Sequence, residues 1–336
     1  MGAVDSTYPL LPIMCIIASV LLLVMLLNGL IRQNWNIGVA FLCFWLFVDN
    51  VIHAINTIAW SDKFTIKLYI YCDIATHLQV VSSTAKSMAT FIITRRLSSI
   101  ARLQSVEPNN RKTRRWNLVI EWILGLAVPL LAGGPLYYVV QGLRFQVLES
   151  FGCQDALSDD VLAISIMFLS GVLIPFLSVT IYYPRIIWVF YFHNRDFNRF
   201  LRSNNSVSRS SYLRILALSS IDILFTLPIN TINNTLQLLW VAQHLSQDLP
   251  FYQGWNFVHT DWEPLGRSYS YLRAIRGELA HNYFLYWSST VLAFITFGLF
   301  GLTVEARTSY HRGSAPWPAD LDGSRLCATS RTRIRP

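Results

Sequence analysis

Three ionisable side chains, Asp49, Lys86 and Asp222, stand inside long apolar stretches. An unpaired charge at the centre of a bilayer costs at least about 2.5–3.5 kcal/mol, so the chemistry these residues support is ion pairing, not bond making. Lys86 lies about nine residues from one end of its stretch and Asp222 about nine from the same side of its own, so at 1.5 Å per residue both sit about 13 Å deep. Lys86 is therefore expected to pair with Asp222 or with Asp49 as an intramembrane charge lock that biases the resting arrangement, or else to reach a polar water pocket.

Other polar residues recur at helical spacing. Asp49, His53, Asn56 and Trp60 fall at i, i+4, i+7 and i+11, on one face. Asp73, His77 and Thr84 share a second stripe, and Asn230, Asn233 and Asn234 follow Pro228 in a third segment. Polar groups in lipid turn toward the bundle interior. There they either bond helix to helix, for roughly 0.6–2 kcal/mol each, or line a ligand cavity. His53, Asn56, Trp60, Asp73, His77, Asn230, Asn233, Asn234 and Trp255 are the candidate ligand contacts of such an outer cavity. Pro228 removes a backbone hydrogen bond and is the candidate hinge.

No constellation for catalysis is present. The seven histidines, His53, His77, His193, His244, His259, His281 and His311, form no HExxH spacing, and the sequence has no Gly-rich phosphate loop and no GxSxG elbow. The stretch 281–303 contains no lysine for a retinal Schiff base. No catalytic residue, metal or cofactor is expected.

The elements that must position these residues follow from composition. Of 336 residues, 53% are hydrophobic and 14% charged, with a mean hydropathy of +0.39, whereas soluble domains carry roughly 25% charge. About 20 apolar residues cross a hydrocarbon core. Such stretches recur at about 9–31, 37–60, 69–94, 117–141, 161–192, 213–241 and 281–303. Backbone in lipid has no water partner, so these are read as helices: an all-α membrane protein, a seven-transmembrane-helix bundle. The first stretch lacks the pattern of a cleaved signal peptide and is read as a retained anchor. Residues 1–303 form the bundle domain and 304–336 a short basic cytosolic tail.

Charge sets the orientation, because cytoplasmic loops keep Lys and Arg. With the N-terminus outside, 20 of the 27 cations fall inside: Arg32; Arg95, Arg96, Arg102, Arg111, Lys112, Arg114 and Arg115; Arg185, Arg195, Arg199, Arg202, Arg209 and Arg214; and Arg307, Arg312, Arg325, Arg331, Arg333 and Arg335. Lys63, Lys67, Arg144, Arg267, Arg273 and Arg276 fall outside, and the C-terminus is cytosolic. The formal net charge of +8 is thus sorted by loop and does not form a nucleic-acid patch.

In this topology Cys72 and Cys153 both face an oxidising compartment, and a disulfide between them is expected. Cys15, Cys43 and Cys327 lie in lipid or cytosol and are expected to be reduced. The sequons at Asn204 and Asn233 fall in cytosol and membrane, so neither is expected to carry a glycan. Phe251, Tyr252, Trp255, Phe257, Trp262, Tyr269 and Tyr271 crowd the 244–280 loop. Rings of this kind prefer the membrane interface, as a cover or as an entrance for an apolar ligand. A small seven-helix transporter is the rival reading, but such proteins usually show repeated halves, and no internal repeat is visible here.

A series of short motifs resembles, in order, the fungal mating-pheromone receptors for farnesylated, a-factor-type peptides, class D of the G-protein-coupled receptors. They are Trp35-Asn36-Ile37-Gly38, Asn56-Thr57-Ile58-Ala59-Trp60, Tyr71-Cys72-Asp73-Ile74, Arg95-Arg96-Leu97, Phe151-Gly152-Cys153, Phe197 to Leu201 ahead of Tyr212 to Ser219, Leu227-Pro228, Trp255 to Trp262, Phe297-Gly298 and Val304-Glu305-Ala306-Arg307. The resemblance implies a plasma-membrane receptor for a farnesylated peptide pheromone, coupled to a heterotrimeric G protein. Arg95, Arg96, Arg111, Lys112, Arg114, Arg115, Arg195, Arg199 and Arg214 are the candidate coupling residues, and they serve equally as topology signal and as contacts to anionic lipid. Membrane lipids and a second copy of the chain are further candidate partners.

Overall fold

Apolar backbone without water closes its hydrogen bonds within helices. The computed structural model describes residues 4–5, 7–32, 36–101, 111–158, 160–192, 209–244, 250–260, 262–275 and 277–302. Its long helices are α1 (Leu10–Arg32), α2 (Ile37–Ala59), α3 (Tyr69–Ala101), α4 (111–139), α5 (161–192), α6 (Arg209–His244) and α7 (278–301). α3 runs a full two turns beyond the expected residue 94. The tail 304–336 lies outside the described residues.

Helix starts are set by side chains that satisfy exposed N–H groups. The Asn36 carboxamide accepts from Gly38 N at 3.1 Å to open α2, and Asp160 accepts from Ala163 N at 2.8 Å to open α5. Prolines modulate the interiors. Pro129 has no N–H to offer the Gly125 carbonyl four residues back, and the Trp45 indole donates to that carbonyl at 3.3 Å. Pro175 likewise leaves the Gly171 carbonyl, which the Asn230 carboxamide takes at 3.0 Å. The helix widens into π-turns at Ile123–Ala127, Ala132–Leu136, Leu169–Leu173 and Ser178–Tyr182.

The bundle is inverted relative to a water-soluble one. Ile13, Ile16, Val20 and Leu27 of α1, Leu130 and Leu131 of α4, and Phe176 and Ile181 of α5 are exposed, while Asp49, Asn50, Asn56, Thr76, Ser82, Ser289 and Thr290 are buried. This distribution suits a lipid surround, and the chain is a mostly helical, multi-pass membrane protein. Among the described residues five helices are long and apolar enough to cross a membrane: Leu10–Gly29, Ile37–Ala59, Arg115–Val139, Val161–Trp188 and Glu278–Gly301. α3 and α6 are long enough, at 33 and 36 residues, but their Asp, Lys, Arg, Ser, Thr and Asn content makes them less apolar.

α3 is the central strut, in contact with α2, α4, α5 and α6, and α7 packs on α1, α2 and α6. The main apolar core joins Ala18 and Leu22, Leu42 and Leu46, Ala85, Ala89 and Ile93, Leu218 and Ala293. α3 meets α4 closely at Gly133, where an added Cβ would lie 2.7 Å from Val81 N and 2.9 Å from His77 O. One end of the bundle carries a small sheet of β1 (Gln146–Leu148), β2 (Gly152–Gln154) and β3 (Leu265–Arg267), in the order β2-β1-β3. β1 pairs antiparallel with β2, Val147 facing Cys153, and parallel with β3, Val147 facing Gly266.

Candidate functional site

A charged cluster joins three helices inside the bundle. Lys86 of α3 donates from Nζ to Asp49 Oδ2 of α2 at 2.9 Å and to Ser289 Oγ of α7 at 2.8 Å, and the Ser289 hydroxyl donates to the same carboxylate oxygen at 2.5 Å. Asp49 is the carboxylate the structure places against Lys86; the side chain of Asp222 lies outside the described residues. One residue along each helix, Thr290 donates to Asn50 Oδ1 at 3.0 Å and contacts Cys15 Sγ at 3.3 Å, which brings α1 into the same network. His53 stacks on Tyr286, centroids 3.9 Å apart, with Nε2 3.6 Å from Asp49 Oδ1. The ammonium and carboxylate thus have short, charge-assisted partners where lone charges would be prohibitive.

Above this cluster the sheet forms a lid. Cys72 at the start of α3 and Cys153 of β2 are disulfide-bonded, and Asn56 of α2 donates to Cys153 O at 2.9 Å while accepting from the Tyr71 hydroxyl at 2.9 Å. Gln79 of α3 donates to the same carbonyl at 3.2 Å. Gly152 has φ of +74°, and an added Cβ would meet Asn56 Cβ at 2.7 Å. Both conditions demand glycine there. The Tyr286 hydroxyl donates to Phe151 O, and Gln154 donates to Asn282 Oδ1 of α7 at 2.7 Å. Trp60, fully buried, donates from its indole to Thr65 O at 3.0 Å, while its own carbonyl accepts from Ser150 N at 2.8 Å. In this arrangement Asn56 and Trp60 hold the lid, with their polar atoms occupied within the chain.

Beside the lid, Asp73 and His77 face a cleft. Arg144 chelates Asp73 through Nε at 2.9 Å and Nη2 at 2.6 Å, and this hydrogen bonding holds the guanidinium pKa above its ordinary value. His77 Nδ1 lies 2.6 Å from the Gly133 carbonyl. Trp255 and Trp262 sandwich the His259 ring at 4.1 and 4.6 Å, and all three contact Tyr138 at the end of α4. Further attachment comes from Tyr252, which donates to Val139 O at 3.3 Å. The loop also supplies carbonyls at Pro250 and Phe251 for the first N–H groups of α5, at Val161 and Leu162. Trp255 thus packs on α4 through Tyr138, in a loop whose Pro250 and Phe251 carbonyls meet the start of α5.

At the opposite end, Arg96 donates from Nη1 to Asn36 Oδ1 at 3.1 Å and lies 3.9 Å from Glu121, while Arg95 donates to Asn117 Oδ1 at 3.3 Å. These bonds tie α3 to the start of α2 and to α4. Lys112 and Arg115 are exposed and Arg214 half-buried. The side chains of Arg111, Arg114, Arg195, Arg199, Asn233 and Asn234 lie outside the described residues. Asn230 lies apart from the lid, bonded to α5, and α6 continues as helix through an exposed Pro228.

Sequence reasoning missed Ser289, Thr290 and Asn50. The signal was available, because they too are polar residues in apolar stretches. It also missed the strands, each three residues long, and the Arg144 partner of Asp73, which is 71 residues away and in a loop.

Comparison with known proteins gives a consistent result. The family described as STE3, Pheromone A receptor, matches residues 10–317. The chain is 30% identical over 315 residues to the Pheromone B alpha 3 receptor of Schizophyllum commune, covering 93% of this chain and 48% of that protein. It is 24% identical over 310 residues to Pheromone receptor 1 of Ustilago hordei, with 89% and 81% covered. It is also 24% identical over 269 residues to the Pheromone a factor receptor of Saccharomyces cerevisiae, with 79% and 54% covered. The chain spans about half the length of the Schizophyllum relatives it matches.

Proposed function

Starting from a chain that belongs to the pheromone A receptor family, we propose that it is a seven-pass, plasma-membrane receptor for a farnesylated peptide pheromone, coupled to a heterotrimeric G protein. In this reading α1 to α7 are the spans, at about 9–31, 37–60, 69–94, 117–141, 161–192, 213–241 and 281–303. The sheet end with the N-terminus lies outside, and residues 304–336 form a cytosolic tail. The sorting of Lys and Arg supports this orientation. Membrane lipids contact the apolar exterior, and a second copy of the chain is a further partner.

The observation that carries the reading is the Lys86–Asp49–Ser289 cluster, which couples α2, α3 and α7 beneath a lid built from the segments between the helices. A ligand that binds one arrangement of these helices better than the other shifts the population between them. The cluster is the lock that biases the resting state, and Asp222 is available as an alternative partner. Pro228 is the hinge of α6. A prenyl chain partitions into the bilayer, at about 0.8 kcal/mol per buried CH₂, so the ligand enters from the lipid side or past the aromatic loop, and His53, Asn56, Trp60, Asp73, His77, Asn230, Asn233, Asn234 and Trp255 are its contacts in the outer half. Ligand binding then exposes Arg95, Arg96, Arg111, Lys112, Arg114, Arg115, Arg195, Arg199 and Arg214 to the G protein.

The test is a panel of synthetic farnesylated peptides applied to membranes holding the receptor and a co-expressed G protein, with GTP exchange as readout. At least one peptide is expected to raise exchange, and joint neutralisation of the basic residues before α4 and around the start of α6 is expected to abolish the response at unchanged surface level. A silent panel with verified surface receptor, or a full response from the neutralised variant, sinks the reading.

A further inference from the structure

The cleft beside the lid has a volume of about 240 Å³ and is lined by Asp73, His77, Tyr138, Gln141, Arg144 and Trp262. Pockets that enclose a whole drug-sized ligand run to roughly 300–1,000 Å³, so this one takes a piece of a larger molecule. Its polar atoms say which piece. Both carboxylate oxygens of Asp73 are engaged by Arg144 Nε and Nη2, and Nη1 of that guanidinium meets no acceptor among the described residues. His77 uses Nδ1 on the Gly133 carbonyl. Gln141 donates from Nε2 to Arg144 O at 2.5 Å.

The Gln141 Oε1 atom is the exception. Gln141 is only 2% exposed, yet Oε1 is buried and meets no donor among the described residues. A buried acceptor left without a donor is costly, at about 1–3 kcal/mol, and proteins leave few of them. The cleft therefore asks for a donor at Gln141 Oε1 and offers donors at Arg144 Nη1, and His77 Nε2, the Tyr138 hydroxyl and the Trp262 indole N–H on its wall also meet no hydrogen-bond partner among the described residues. An ammonium would suit Gln141 and Asp73 but face the Arg144 cation. A carboxylate would suit Arg144 but face two oxygen acceptors. A neutral amide presents N–H and C=O together and opposes neither, and the Tyr138 and Trp262 rings, 5.6 Å apart, give its flat unit an apolar wall.

We propose that this cleft is a subsite for a peptide amide, with the ligand N–H on Gln141 Oε1 and its C=O on Arg144. It deepens the receptor reading, on which it rests for the ligand being a peptide, by assigning the peptide portion to this cleft while the lipid chain lies elsewhere.

The test separates the two portions. Full-length receptor in nanodiscs is titrated, by ligand-observed NMR, with an uncharged N-acetyl tripeptide N-methylamide carrying a central phenylalanine, and separately with S-farnesylcysteine methyl ester. The tripeptide is expected to bind wild type and to lose about tenfold in affinity, the equivalent of one hydrogen bond, in Gln141→Met and, through the aromatic wall, in Trp262→Leu. Both variants are expected to reach the membrane folded, with the melting temperature of Trp262→Leu lowered by the stacking it loses on His259 and Tyr138. Absence of tripeptide binding to wild type, equal binding to both variants, or tighter binding of acetate or methylammonium than of the tripeptide overturns the subsite. Failure of the farnesyl compound alone to bind counts against the lipidated-ligand reading and leaves the amide result standing.

Discussion

Two of the ion pairs anchored on α3, Lys86 with Asp49 and Asp73 with Arg144, stand thirteen residues or about 20 Å apart along the helix. Their surroundings differ. Asp49 shows 5% of its side chain and Lys86 22%, whereas Asp73 and Arg144 show 34% and 37%. The inner pair is closed by a third residue, Ser289, from another helix. The outer pair is chelated, half-wet, and next to a glutamine oxygen that meets no donor among the described residues. The inner pair serves the mutual positioning of helices, and both of its charges are hydrogen-bonded within the chain. The outer pair borders the cleft proposed to take a peptide amide.

The strongest way to break this contrast is Asp49→Leu, which strands the Lys86 ammonium. Removing one partner of a buried pair costs about 3–5 kcal/mol, so surface expression and melting temperature of the solubilised receptor are expected to collapse. The double variant Asp49→Leu/Lys86→Met is expected to recover most of both. If the single variant melts like wild type, the inner pair does not hold the helices in position.

The lid gives the intermediate effect. Cys72 and Cys153 are 81 residues apart, and Cys153→Ser is expected to lower stability by about 2–4 kcal/mol. The loss should be read as a drop in melting temperature, with no further drop when reductant is added. A variant that remains as sensitive to reductant as wild type would remove the disulfide from this role.

The outer pair gives the smallest effect. Arg144→Gln is expected to change stability by at most about 1 kcal/mol, since partly exposed pairs are screened by water and salt. Wild type and variant should converge as ionic strength rises, because salt weakens the pair that only wild type has. A loss as large as that of Asp49→Leu would erase the distinction between the two pairs.

Much of this was legible in the chain itself. Apolar stretches announced the helices, since lipid offers no other way to satisfy a backbone, and the period of Asp49, His53, Asn56 and Trp60 announced a buried face. Lys86 declared its need for a partner by its depth. The three-residue strands were invisible because pairing with sequence-distant segments, not propensity, makes them strands: β1 and β3 are more than a hundred residues apart.

What the sequence determined is therefore anything that one segment settles against its solvent: helix, buried face, the price of a lone charge. What only the tertiary structure decided is partnership. Asp49 stands beside the Lys86 ammonium, Ser289 completes it, Asn56 holds the carbonyl of Cys153, and Gln141 Oε1 meets no donor among the described residues. Hydrogen bonds act over about 3 Å, and only the packed bundle says which atoms come that close.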